Sequence, residues 1–126
     1  MTGPALEPAT LPPPGLAGLE ASWSRLVTAR DADGVRRTWH VLDTHADRDT
    51  ADVELTLLCV HGNPTWSYLW RRVLAEAPDG VRVVAIDHLD MGYSERAGTV
   101  RRLAQRVEGL GCLTAAMALD GPVVTV

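Results

Sequence analysis

Eleven consecutive residues, His61-Gly62-Asn63-Pro64-Thr65-Trp66-Ser67-Tyr68-Leu69-Trp70-Arg71, form the segment richest in residue types that could do chemistry. They follow directly on Leu55-Thr56-Leu57-Leu58-Cys59-Val60, a near-continuous apolar run whose length suits a strand buried on both faces. An open α/β sheet binds ligands beyond the carboxyl ends of its strands, so this loop is placed to meet one. Read locally, His61-Gly62 also suits a strand-ending turn and Asn63-Pro64 a helix start, because Asn caps helices and Pro fits their first turn. A second cluster, Asp87-His88 and then Asp90-Met91-Gly92-Tyr93-Ser94-Glu95-Arg96, follows the apolar run Val81-Arg82-Val83-Val84-Ala85-Ile86. A serine nucleophile on a strained elbow needs Gly-x-Ser-x-Gly, and Arg96 stands where the second glycine belongs. Ser94 therefore reads as a loop-stabilising hydroxyl. Asp87 is a poor ribose-binding acid, since no Gly-x-Gly-x-x-Gly precedes it. His88 sits on the ligand edge and is a candidate for the pocket entrance.

The remaining reactive types read more plainly. Cys59 lies inside an apolar run without an adjacent base, and Cys112 lies beside the apolar face of a helix, so both read as small core residues. Neither has a Cys or His at short ligand spacing, and no metal or cofactor site is expected. His40 and His45, on a strand and a polar loop, read as surface histidines. The arginine pairs at 36–37, 71–72 and 101–102 read as solvated faces or helix-end charges. Trp66 and Trp70 stand one helical turn apart, so at least one is expected to pack under the loop.

The elements that must position these residues follow from patterning. Residues 1–20, with five prolines and with glycines at 3, 15 and 18, suit neither a helix nor a ladder and read as a lead segment. Arg25–Ala29 and Arg37–Leu42, separated by Asp31-Ala32-Asp33-Gly34, read as a hairpin, and Asp43–Asp52 as a surface loop. Leu69, Val73, Leu74 and Ala77 have helical spacing, stopped by Pro78-Asp79-Gly80. Beyond the loop 87–100, a longer helix places Leu103, Val107, Leu110, Thr114 and Met117 on one face. Gly109 and Gly111 weaken that helix by roughly 1 kcal/mol each, so one is expected to mark close packing on the sheet. Gly121-Pro122 ends it, and Val123-Val124-Thr125-Val126 begins a third apolar strand. Hairpin, then strand, helix, strand, helix, strand defines an α/β class with a parallel sheet and crossover helices. An apolar parallel strand wants further chain to cover it, so the reading is one partial domain, 21–126, after the lead 1–20.

Composition bounds the partners. One domain or part of one is all that 126 residues hold. Sixteen acidic residues against twelve basic ones, all arginine, leave a net charge of −4, which argues against nucleic acid as a partner. The longest apolar run, Ala115–Leu119, is five residues, so no transmembrane helix is expected. The start lacks both the basic and the apolar parts of a secretory signal, making a cytoplasmic protein the default.

The loop from His61 to Arg71 closely resembles the one after the third strand of α/β-hydrolases, in the His-Gly-Asn-Pro form of haloalkane dehalogenases and their relatives. The run Val83-Val84-Ala85-Ile86-Asp87 and the Asp90–Arg96 loop resemble the same fold's fourth strand and its Gly-x-Ser loop. Arg101-Arg102-Leu103-Ala104-Gln105-Arg106-Val107 and Gly121-Pro122-Val123-Val124-Thr125-Val126 resemble a narrower group, the β-lactone decarboxylase domains of bacterial long-chain olefin biosynthesis. The lead, the Thr38-Trp39-His40-Val41 strand and the Asp90–Arg96 loop suit that group too. The resemblance spans residues 20–126.

The resemblance implies that the Asn63 backbone N–H supplies half of an oxyanion hole and that its side chain helps hold a leaving halide. His61 and Gly62 shape the turn, Pro64 follows a cis peptide, and His61, Gly62, Asn63, Pro64 and Trp66 form the binding loop. It also implies an aspartate nucleophile in a His-Asp-Trp-Gly-Gly elbow beyond Val126, with the histidine base, third acid and cap later still. Truncated before that elbow, the chain holds no nucleophile and is expected to be inactive alone. The expected partners are a small hydrophobic substrate and an AMP-forming β-lactone synthetase, fused or associated. Two alternatives stand beside this: a fragment of a haloalkane dehalogenase or epoxide hydrolase, or a non-catalytic remnant that associates through an unfinished sheet.

Overall fold

The computed structural model describes residues 6–98, 100–119 and 121–126; Gly3 and Pro4 of the lead and Thr99 of the loop after the fourth strand lie outside that set. Five strands form one mixed sheet: β1 (Ser24–Arg30), β2 (Arg36–Asp43), β3 (Leu55–Val60), β4 (Val81–Ile86) and β5 (Val123–Thr125), in the order β1-β2-β4-β3-β5. The hairpin pairs antiparallel, with Val27 opposite Trp39, and β2 pairs antiparallel with the end of β4, Val41 opposite Ile86. β3 runs parallel to both β4 and β5, with Cys59 opposite Ala85 and Leu57 opposite Val124. The crossovers are α1 (Arg71–Ala75), entered through a 3₁₀ turn at Ser67–Trp70, and α2 (Leu103–Ala116). The expected order of elements holds. The first helix is shorter than the expected span, its first turn tightened to 3₁₀.

Side chains alternate across the strands, so each face has its own core. Trp39, Val41, Leu58, Val84 and Ile86 meet Leu113 of α2 and Met117 at its C-cap on one face. Leu42, Cys59, Val83 and Ala85 meet Trp23 and Leu74 of α1 on the other, with Trp70 packed against them. The same alternation carries His40 and Asp87, flanking Leu42 and Ala85, to the α1 face.

Several expectations need correction. The buried stripe of α2 is Gly109 and Leu113, continued by Met117 at its C-cap, whereas Leu103 and Val107 are 78% and 61% exposed. The helix turns its small residue to the sheet at Trp39, and Gly111 meets nothing. His40 and His45 are buried, not surface residues. Asp43, assigned to a surface loop, closes β2 fully buried, accepting from Arg82 Nε at 3.0 Å and Nη2 at 2.7 Å. Of the arginine pairs, Arg37 is buried between Glu95 (2.7 Å) and Asp31 (3.2 Å), and the Arg101 side chain lies within 3.7 Å of Asp31 and 3.5 Å of Asp90. Asp31 lies 6 residues from Arg37 and Glu95 lies 58 away, and together they offset part of the cost of taking the guanidinium from water. The lead also makes one rung of ladder, an antiparallel bridge of Glu7 with Arg96.

Candidate functional site

Because β3 and β4 are parallel, the loops that leave them emerge at one edge of the sheet, and the two sequence clusters meet there. His61 is buried at the end of β3, while Gly62, Asn63 and Pro64 are exposed and Trp66 half-buried. The Asn63–Pro64 peptide is cis. Among the described residues no hydrogen bond engages the Asn63 backbone N–H or side chain. Trp66 stacks on Tyr68 with ring centroids 5.3 Å apart and meets Tyr93 edge-on at 5.0 Å, so the aromatic wall beside Asn63 joins both loops.

Asp87 holds the second loop. Its Oδ1 accepts from the Ser67 N–H at 2.7 Å, and its Oδ2 from the Tyr93 N–H at 2.9 Å and His40 Nδ1 at 2.8 Å. Burial alone would raise its carboxyl, but the His40 ring and these N–H groups outweigh that and hold it below the usual carboxylate range. Ser94 accepts from the His40 N–H at 2.8 Å and donates to the Asp87 carbonyl at 2.7 Å. It is a buried strut between β2 and β4. Gly92, at φ 52°, is required: a Cβ there would lie 2.4 Å from Asp87 Oδ2 and 2.8 Å from the Trp66 Cβ.

His88 is joined to His61 twice. Its backbone N–H donates to His61 Nε2 at 3.0 Å, and its own Nε2 donates to the His61 carbonyl at 3.1 Å. Burial, with the His61 ring adding to it, pushes the His88 imidazole down to about 4. The Cys59 thiol is pushed up to about 11 by burial in β3, which makes it a poor nucleophile. Among the described residues no cluster of three or more His, Cys, Asp or Glu is placed to hold a metal, and no helix is long and apolar enough to cross a membrane.

Sequence reasoning missed the buried His40–Asp87 pair, because neither residue has a local partner. The available signal was the two-residue period, which sets both on one face. The site supplies an unengaged backbone donor and an aromatic wall at a ligand edge, held from beneath by a buried carboxylate.

The model for the alpha/beta hydrolase fold matches residues 56–107, from the second residue of β3 into α2. A haloalkane dehalogenase, DpaA from Paraglaciecola agarilytica, superposes with a TM-score of 0.67 at 27% identity, covering 87% of this chain and 36% of that one. A thermophilic esterase from Thermogutta terrifontis superposes at 0.64 with 24% identity, covering 81% and 35%. The chain thus carries an α/β-hydrolase fold, over about a third of the length of these structures.

Curated relatives narrow the group. A cis-3-alkyl-4-alkyloxetan-2-one decarboxylase from Xanthomonas campestris is 30% identical over 88 residues, 64% of this chain and 29% of that protein. Haloalkane dehalogenase 2 of Mycobacterium bovis is 55% identical over 40 residues, 32% of this chain and 14% of that protein. The chain covers part of an α/β-hydrolase of the group that holds these dehalogenases and the oxetanone decarboxylase.

Proposed function

We propose that this chain is the amino-terminal part of a hydrolase-fold enzyme that opens a β-lactone ring, releasing carbon dioxide and an alkene. The observation that carries it is the His61–Trp66 loop, which presents the Asn63 N–H unengaged at the ligand edge beside an aromatic wall. The match to an oxetan-2-one decarboxylase supports the ring chemistry. In this reading Asn63 donates to oxygen charge that develops as the ring opens, while His61, Gly62, Pro64 and Trp66 shape and line the binding loop. The nucleophilic aspartate, histidine base and third acid belong to sequence beyond Val126. The substrate is small and hydrophobic, the setting is cytoplasmic olefin biosynthesis, and an AMP-forming β-lactone synthetase, fused or associated, supplies the lactone.

The 55% identity to a haloalkane dehalogenase over 40 residues favours a second reading, carbon–halogen hydrolysis. One series of experiments separates the two. The coding DNA is read past the codon for Val126 for a His-Asp-Trp-Gly-Gly elbow, and the natural full-length protein is assayed with a cis-3,4-dialkyl-oxetan-2-one and with haloalkanes. Lactone-dependent carbon dioxide release supports the first reading, and halide release the second. Asn63→Ala keeps the backbone N–H and removes the side chain, so it is expected to lower halide release by about 100-fold and to spare lactone opening. Absence of an elbow in every frame, or of both activities, overturns the catalytic reading.

A further inference from the structure

Two histidines at the ligand edge are locked to each other, and their geometry fixes more than their own positions. The His61 and His88 rings meet edge-on, with centroids 4.5 Å apart. His61 Nε2 receives the His88 backbone N–H at 3.0 Å, so that nitrogen carries no proton. His61 Nδ1 lies 2.6 Å from the Gly62 carbonyl oxygen, which accepts and never donates, so Nδ1 carries the proton. The neighbours thus specify one neutral tautomer, Nδ1–H. Protonating Nε2 would set two N–H groups face to face.

The held carbonyl belongs to the peptide that also carries the Asn63 N–H. In a planar trans peptide the C=O and N–H point in opposite directions. Fixing the Gly62 carbonyl toward the His61 ring therefore aims the Asn63 N–H to the other side of the loop, where no described residue engages it. The His88 side chain closes the clasp by donating from Nε2 to the His61 carbonyl at 3.1 Å, which holds the start of the same turn.

We propose that His88 is a positioning residue for the Asn63 N–H: with its backbone it sets the His61 tautomer, and with its side chain it holds the His61 carbonyl, so that the intervening peptide is aimed before any ligand arrives. This rests on the reading of Asn63 as an oxyanion donor, but the clasp itself is testable without substrate. Gln reproduces the position of a histidine Nε2 donor and Asn does not, which makes His88→Gln and His88→Asn an informative pair.

The test is ¹⁵N correlation spectroscopy of the histidine rings in the natural full-length protein near neutral pH. The expected result is His61 with Nδ1 protonated and Nε2 bare, its ring proton exchanging about tenfold faster in His88→Asn and close to the original rate in His88→Gln. A wild-type His61 that is Nε2-protonated or doubly protonated overturns the proposal, and that measurement needs no variant to fold. An exchange rate in folded His88→Asn equal to wild type overturns it as well. In the enzyme assay the proposal expects His88→Asn to lower kcat with KM little changed and His88→Gln to restore it; equal kcat in both overturns it. If the tautomer and exchange results hold while neither lactone nor haloalkane is turned over, the clasp stands and the catalytic reading falls.

Discussion

Asp87 carries the heaviest structural duty of any side chain at the ligand edge, since one buried carboxylate accepts from three donors on two loops and a strand. Asp87→Asn places an NH2 group against at least one of these donors and removes the charge that strengthens all three. Leaving buried donors unmet costs about 1–3 kcal/mol each, so a loss of about 3 kcal/mol in a urea melt is expected, larger than for any exposed Asp→Asn change. Gly92→Ala attacks the same carboxylate from the other side. Its Cβ would lie 2.4 Å from Asp87 Oδ2 on a backbone at φ 52°, so the loop must shift as well as bear about 1 kcal/mol of left-handed strain. A destabilisation of about 2–3 kcal/mol is expected, with the fluorescence of Trp66 altered because that residue bounds the same space.

The helix α2 tests what its glycines are for. A Cβ at Gly109 would meet Trp39 Cζ2 at 3.9 Å, ordinary contact, and one at Gly111 would meet nothing within 4 Å. Gly109→Ala and Gly111→Ala are therefore each expected to raise stability by about 1 kcal/mol through helix propensity, whereas Gly109→Leu overpacks Trp39 and loses about 1–3 kcal/mol. Leu113→Ala, at a side chain with no exposure, is expected to cost about 3 kcal/mol in the same melts. This helix also shows where sequence reading stops. Its existence was legible from periodicity, but it stops at Ala116, ahead of Ala118 at φ 50° and short of the expected Gly121-Pro122, and its facing was not legible. Leu103 and Val107 suggested one stripe by their apolarity, while the true contact runs through Gly109, which has no apolar side chain to announce it. The strands β3, β4 and β5 were legible because largely apolar runs carry their signal locally, the hairpin because Asp31-Ala32-Asp33-Gly34 marks its turn, and the His61–Arg71 loop because it follows such a run directly. His40 and Asp87 are 47 residues apart, and Arg37 and Glu95 are 58 apart, so pairings that reclassify a histidine and an arginine as buried depend on the register of the finished sheet.

Across the whole molecule, the buried titratable groups combine into a stability that declines with acid in two stages. His88 sits near 4 in the folded chain, lowered first by burial and then by the His61 ring, and His45 is lowered first by burial and then by Arg48. Both are near 6.5 when unfolded, so between about pH 6.5 and 4 the unfolded state binds more protons and folding weakens as pH falls. For His88, partly open to solvent, the loss over that window is on the order of 2 kcal/mol. The carboxylates act lower. Asp31, Asp43 and Asp87 are each raised by burial but held below their ordinary value by stronger opposing partners: the Val35 N–H and Arg37, then Arg82, then His40. Their contribution is fully present above the unfolded value of about 3.9 and is lost as pH falls through the still lower folded values. Urea midpoints of the natural full-length protein should therefore fall gradually from about pH 6.5 to 4 and steeply below that. His88→Gln, which cannot take up the proton, should flatten the upper stage and leave the lower one in place. A midpoint constant from neutrality down to about pH 4 contradicts the assignment of His88 as a neutral, half-buried member of the clasp.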